Sequence, residues 1–181
     1  MNGSNLIQNK FSELGFDSYE EIRADVGVLL NEFENSMKIN LPESYKYFLK
    51  NYGECNFERD AVYKPIKKTP FQNKDGFMEI SYFYGCGSTN GVEILNKRYK
   101  GRLPKLHIVL GEAPGGNQIC MNVDMDSSEY GNIYVWDHEN ECEGCMDNMY
   151  LVSRSFDNFI DSFVAYEKEN LTGAIKSRFD F

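Results

Sequence analysis

The hydrophobic period of this chain runs helical, then extended, then helical again, and that order limits the folds open to it. Between Ser18 and Met37 the residues Ile22, Val26, Leu29, Leu30 and Phe33 recur at three- and four-residue steps, the spacing of one helix face. Ser18 with Glu21 reads as the capping box that opens it. A second helix is expected from Leu41-Pro42-Glu43, where proline has its φ preset for a helix start, to about Gly53, which tolerates a left-handed closing residue. Tyr45, Phe48, Leu49 and Tyr52 form its buried stripe, and Lys46 and Lys50 its wet side.

From about Phe77 to Tyr84 the period moves toward two, with β-favouring residues on both faces, so a strand is expected. Residues Leu106 to Leu110, Gln118 to Val123, Asn132 to Trp136 and Tyr150 to Val152 are short β-rich runs punctuated by Gly, Asn, Asp and Pro. They read as antiparallel strands joined by turns. Val92 to Tyr99 fits a short helix between them, and Ser155 opens a closing helix whose apolar face is Phe156, Phe159, Ile160, Phe163 and Val164. Helices, then strands, then a helix is an α+β order: an antiparallel sheet of about five or six strands with N-terminal and C-terminal helices packed on one side. The opposite sheet face is left for something else. A length of 181 residues suits one domain over 1–181, with 1–16 and 171–181 as peripheral extensions.

Charge is distributed unevenly over this frame. Of the 28 acidic residues nine lie between Leu106 and Ser153, a stretch without Lys or Arg, which leaves 19 acids to balance all 19 bases elsewhere. The formal net charge of −9 therefore sits in that stretch. Unbalanced carboxylates attract cationic partners and repel phosphate backbones, so direct nucleic-acid binding is not expected. No apolar run approaches the roughly 20 residues of a membrane helix, and Met1 to Lys10 lacks the pattern of a secretory signal. A cytoplasmic protein without membrane contact is expected, and the five cysteines, odd in number and without framework spacing, are read as free thiols.

Motifs with catalytic or metal chemistry fall short on inspection. Cys142-Glu143-Gly144-Cys145 has the spacing of a metal knuckle or dithiol pair, but no second close pair completes a four-ligand zinc site. Asp124-Met125-Asp126 begins like a calcium loop, yet its sixth position is Glu129 and its twelfth Val135. The Gly-rich Gly111 to Asn117 lacks the Lys-Ser or Lys-Thr of a phosphate loop. His107 and His138 belong to no nucleophile or acid/base motif, and a glycosidic pair of Asp137 and Glu139 has no accompanying cleft. No catalytic residue, metal or cofactor is assigned.

Four spaced motifs resemble the SUKH superfamily, which includes fungal cell-wall synthesis regulators and many bacterial immunity proteins. They are Leu41-Pro42-Glu43 with its amphipathic helix and Asn51-Tyr52-Gly53, Gly115-Gly116-Asn117 with the following strand, Gly131 to Trp136-Asp137-His138, and Ser155-Phe156 with its helix. The resemblance spans about Phe33 to Phe163. The segment Glu139 to Met149 departs from it as an acidic insertion with two cysteines. By this resemblance the chain is a non-catalytic immunity protein that neutralises a cognate protein toxin, with a regulator or scaffold of the fungal type as the alternative. A nuclease toxin, cationic where it holds phosphates, would complement the carboxylates. Asp124, Asp126, Glu129, Asp137, Glu139, Glu141 and Glu143 are the expected contact residues, with Tyr130 and Tyr134 as aromatic anchors.

Overall fold

The computed structural model describes residues 3–140 and 142–166. Its elements are helix α1 (Gly3–Leu14), strand β1 (Phe16–Ser18), helices α2 (Val26–Met37) and α3 (Glu43–Asn51), strands β2 (Cys55–Phe57), β3 (Ala61–Tyr63), β4 (Met78–Glu79) and β5 (Tyr82–Phe83), and helix α4 (Val92–Arg98). Strands β6 (His107–Glu112), β7 (Gln118–Asn122), β8 (Ile133–Trp136) and β9 (Met149–Ser153), helix α5 (Phe156–Asp161) and strand β10 (Phe163–Ala165) complete it. A seven-stranded antiparallel sheet runs β1-β2-β5-β6-β7-β8-β9, and a three-stranded sheet runs β10-β3-β4. The α+β class holds, with one or two more strands in the main sheet than expected.

On one face of the large sheet lie the terminal helices. Phe48 of α3 meets Phe83 at 5.1 Å between ring centroids, Phe159 of α5 meets Phe83 at 6.3 Å, and Phe11 of α1 packs on Phe48, Tyr52 and Phe57. Edge-on and tilted ring pairs of this kind add to the area they bury. The expectation of a peripheral 1–16 is corrected by α1: Ile7, Phe11 and Leu14 are fully inside the core at a three- to four-residue spacing. Residues 171–181 lie outside the described residues.

What occupies the second face is the chain itself. All of β7 and β8 is buried, because α4 and the chain after it cover that side. Asn96 of α4 accepts from the Val109 amide at 3.0 Å and donates to the Val92 carbonyl at 2.7 Å. It thereby satisfies backbone groups at the point where β6 bulges between Val109 and Gly111. Tyr99 stands edge-on to Trp136 at 5.7 Å.

Three boundaries moved for local reasons. Ser18 does not cap α2; it pairs with Cys55 as the end of β1, its hydroxyl donates to the Glu20 carbonyl, and α2 starts at Val26 behind an Arg23–Asp25 ion pair of 2.7 Å. The run Phe77 to Tyr84 splits between two sheets, β4 pairing with β3 and β5 with β6. The closing helix does begin at Ser155, whose hydroxyl accepts from the Asn158 amide, but it ends at Asp161 so that Phe163 can pair with Tyr63 in the small sheet. In α3 the stripe Tyr45, Phe48, Leu49 and Tyr52 is buried as expected and Gly53 follows the helix at φ +63°, but Pro42 stands one position before the first helical residue, Glu43, as an N-cap with ψ 138°. Lys46 is not on a wet side: it is largely covered and pairs with Glu43 at 2.7 Å and Glu34 at 3.5 Å.

Candidate protein-binding surface

Two acidic connections flank β8. Asp124 to Gly131 joins β7 to its start, and Asp137 to Asn148 joins its end to β9. At about 3.3 Å per residue the four-residue strand holds the two roughly 10 Å apart. The acidic residues expected to make contact therefore fall at two separate ends of β8.

The first connection is a chain of side-chain-capped turns. Asn122 accepts from the Asp124 amide at 2.8 Å, Asp124 from the Asp126 amide at 3.1 Å, and Ser127 from the Glu129 amide at 3.1 Å. Short polar side chains that bond the backbone two residues on fix such turns locally. Gly131 takes φ +83°, which a turn residue with a Cβ rarely adopts. Asp126 and Glu129 are exposed and Asp124 is partly so. Tyr130 is half-buried and ties the turn to the link between α2 and α3, its hydroxyl donating to the Asn40 carbonyl at 2.7 Å. Tyr134 is only 3 % exposed and donates to Glu129 at 3.1 Å. It is a support beneath the turn, not a surface anchor, and burial raises its hydroxyl pKa.

In the second connection Asp137 is 5 % exposed. It accepts from the Glu139 amide at 3.1 Å and from the Asn140 side chain at 2.7 Å, while Asn148 donates to its carbonyl at 3.0 Å. As a contact residue Asp137 is thus corrected: its carboxylate is spent on holding the root of the loop. His138 rests on Asn117, which is 3.2 Å from both its amide and its Nδ1, and its ring lies over Gly116, where a Cβ would come within 3.3 Å. Glu139 and Glu143 are exposed, and Glu141 lies outside the described residues.

Cys142 and Cys145 are joined as a disulfide. The turn between them, closed by the Cys145 amide on the Cys142 carbonyl at 3.1 Å, sets their Cα atoms 5.6 Å apart, within the range a bridge needs. This corrects the all-thiol expectation for one pair. Asp147 lies with the two sulfurs in a group whose ligand atoms are within 4.8 Å of one another, but a bonded pair offers no thiolate to a metal. Cys55, Cys86 and Cys120 are free and buried. Burial pushes all three thiols up, Cys86 to about 12, which leaves little reactive thiolate.

Trp136, at the root of the second connection, is fully buried. Its Nε1 has no hydrogen-bond partner among the described residues, and the Arg102 guanidinium sits 5.2 Å from its ring and 5.3 Å from that of Tyr99. A cation over these two faces couples the loop to the segment after α4. The Gly144 amide donates to the Arg102 carbonyl at 3.1 Å, a second tie to the same residue.

Residues 28–162 match the profile of the SMI1 / KNR4 family (SUKH-1). The chain belongs to this family. It is also 31 % identical over 169 residues to the SPbeta prophage-derived uncharacterized protein YokK of Bacillus subtilis (strain 168), an overlap of 87 % of this chain and 84 % of that one. The SUKH-1 segment holds both acidic connections and begins after α1 and β1.

Sequence reasoning missed the counter-charge. Lys97 to Lys105 carries five bases and no acid in nine residues just before the acidic stretch, a run visible in the sequence, and the fold brings it to Gly144 through Arg102. Arg154 acts on Tyr134 and Lys46 on Tyr130, each opposing the rise of the hydroxyl pKa. Among the described residues, none of the carboxylates of that stretch forms an ion pair. No helix among the described residues is long and apolar enough to cross a membrane.

Proposed function

We propose that this SUKH-1 protein is a non-catalytic, cytoplasmic immunity protein that binds and neutralises a cognate protein toxin, a cationic nuclease, without itself contacting nucleic acid or membrane. Family membership carries the reading, since the SUKH resemblance implies immunity. The geometry is compatible with it: Asp126, Glu129, Glu139 and Glu143 are exposed on turns whose backbone is pinned by its own side chains and by Tyr130, so little order would be lost on docking. Charges held in this way raise association rates and discriminate partners more than they add affinity.

The test is co-purification with the polypeptide encoded beside this gene, followed by stopped-flow association of the pair. Glu139→Lys with Glu143→Lys should slow association about tenfold at low salt and flatten its salt dependence. An unchanged rate refutes the electrostatic part, and a neighbouring product that is no toxin and does not bind refutes immunity in favour of a regulatory or scaffold role.

A further inference from the structure

The basic run after α4 frames a cavity that the immunity reading does not use. About 640 Å³ in volume, it lies between the end of α2, α4 and the chain leading into β6. Apolar walls come from Met37, Tyr99, Leu103, Pro104 and Leu106, and Gly144 of the acidic insertion closes one side. A concave, mainly apolar site of this size with a few polar groups is the usual form of a small-molecule site, which runs to roughly 300–1,000 Å³.

Its polar lining is dominated by lysines. Lys97, Lys100 and Lys105 line it, are exposed, and make no ion pair among the described residues. Three lysines border one cavity in a protein of net charge −9, against the sign of the whole molecule. Ser36, Asn96 and His107 complete the polar lining. Asn96 is held by the Val92 and Val109 backbone, and the Nδ1 of His107 is 3.1 Å from the Lys105 carbonyl while its Nε2 has almost no accessible surface, so neither side chain is offered to a ligand. The preceding residue, Leu106, is held at φ +55°, with its carbonyl accepting from the Val123 amide at 2.8 Å, so the entry to β6 keeps a backbone conformation costly for leucine where His107 meets the cavity.

We propose that this cavity binds an amphipathic small molecule that carries an anionic group on an apolar body. The lysines take the anion, and the walls around Leu103 and Tyr99 take the body. The site stands apart from the toxin reading, because it needs the basic run and not the acidic turns.

Titration calorimetry of the full chain with 3-hydroxydecanoate below its micelle concentration and with 1-naphthyl phosphate tests this, with decane-1,3-diol as the uncharged control. At least one anion should bind saturably, more tightly than the diol, and shift the amide resonances of Leu103 to His107. In Lys97→Glu/Lys100→Glu/Lys105→Glu, all exposed positions, its affinity should fall tenfold or more. Failure of both anions to bind, an equal affinity for the diol, or a loss smaller than tenfold in the charge-reversed variant overturns the proposal.

Discussion

At one end of β8 the connection from Asp124 to Gly131 is held by hydrogen bonds two residues long and by one tyrosine strut to Asn40. At the other end, the connection from Asp137 to Asn148 stands on a buried carboxylate, a disulfide and an indole under an arginine. Both are acidic, yet the first spends its backbone on order and keeps its charges in water. The second buries one charge to make a root and exposes others beyond it. Carboxylate count alone therefore does not mark an interface; what each carboxylate accepts decides whether it is free to meet a partner.

The comparison breaks first at Trp136. Truncation to alanine should cost about 3–5 kcal/mol in urea unfolding, because it empties a fully buried site and frees Arg102 and Tyr99. A Trp136→Ala protein of native stability would mean that the second connection does not rest on the core. Next comes Asp137→Ala, expected to lose about 1–3 kcal/mol by leaving the Glu139 amide and Asn140 side chain unanswered, whereas Asp126→Ala should stay within about 0.5 kcal/mol of the parent. Equal effects at the two aspartates would erase the distinction between root and surface. Tyr130→Phe should cost about 1 kcal/mol, the strut to Asn40, and should leave the second connection's amide exchange unchanged.

The smallest effect is one of pH. Burial holds His107 below its ordinary pKa of about 6.5, opposed by the Lys105 carbonyl and by Glu129 and Asp124. The unfolded chain therefore takes up its proton first as pH falls, so this contribution to stability is complete above about pH 6.5 and declines below it. Thermal melts between pH 7.5 and pH 5 should show a drop that His107→Gln reduces. A profile identical in the variant would place the pH response elsewhere.

Where one local signal had no rival, the chain could be read from its residues. Pro42 and Gly53 bracket α3, and Ser155 caps α5, because each acts within its own turn. Ser18 misled because a capping box and a β-edge use the same short polar residue, and pairing with Cys55, more than thirty residues away, won. Asp137 and Tyr134 looked like surface residues because residue type alone does not show that a carboxylate turns inward to answer the Glu139 amide and the Asn140 side chain, or that a tyrosine lies beneath the turn whose Glu129 it supports. The cavity at His107 could not be seen either. Its walls come from three segments, and only the lysine run among them was marked in the sequence.

Helix α1 carries one further consequence. The Lys10 ammonium donates to the Phe163 carbonyl at 2.9 Å across 153 positions, and Phe57 joins Phe11 to Phe163 through ring contacts. The oily stripe of α1, covered on one side by α3 and β2, is thus completed only by β10, so the domain closes like a clasp whose two halves lie far apart along the chain. Cutting at the family boundary near residue 28 would discard one half of that clasp, and the remaining piece should emerge from cells as aggregate.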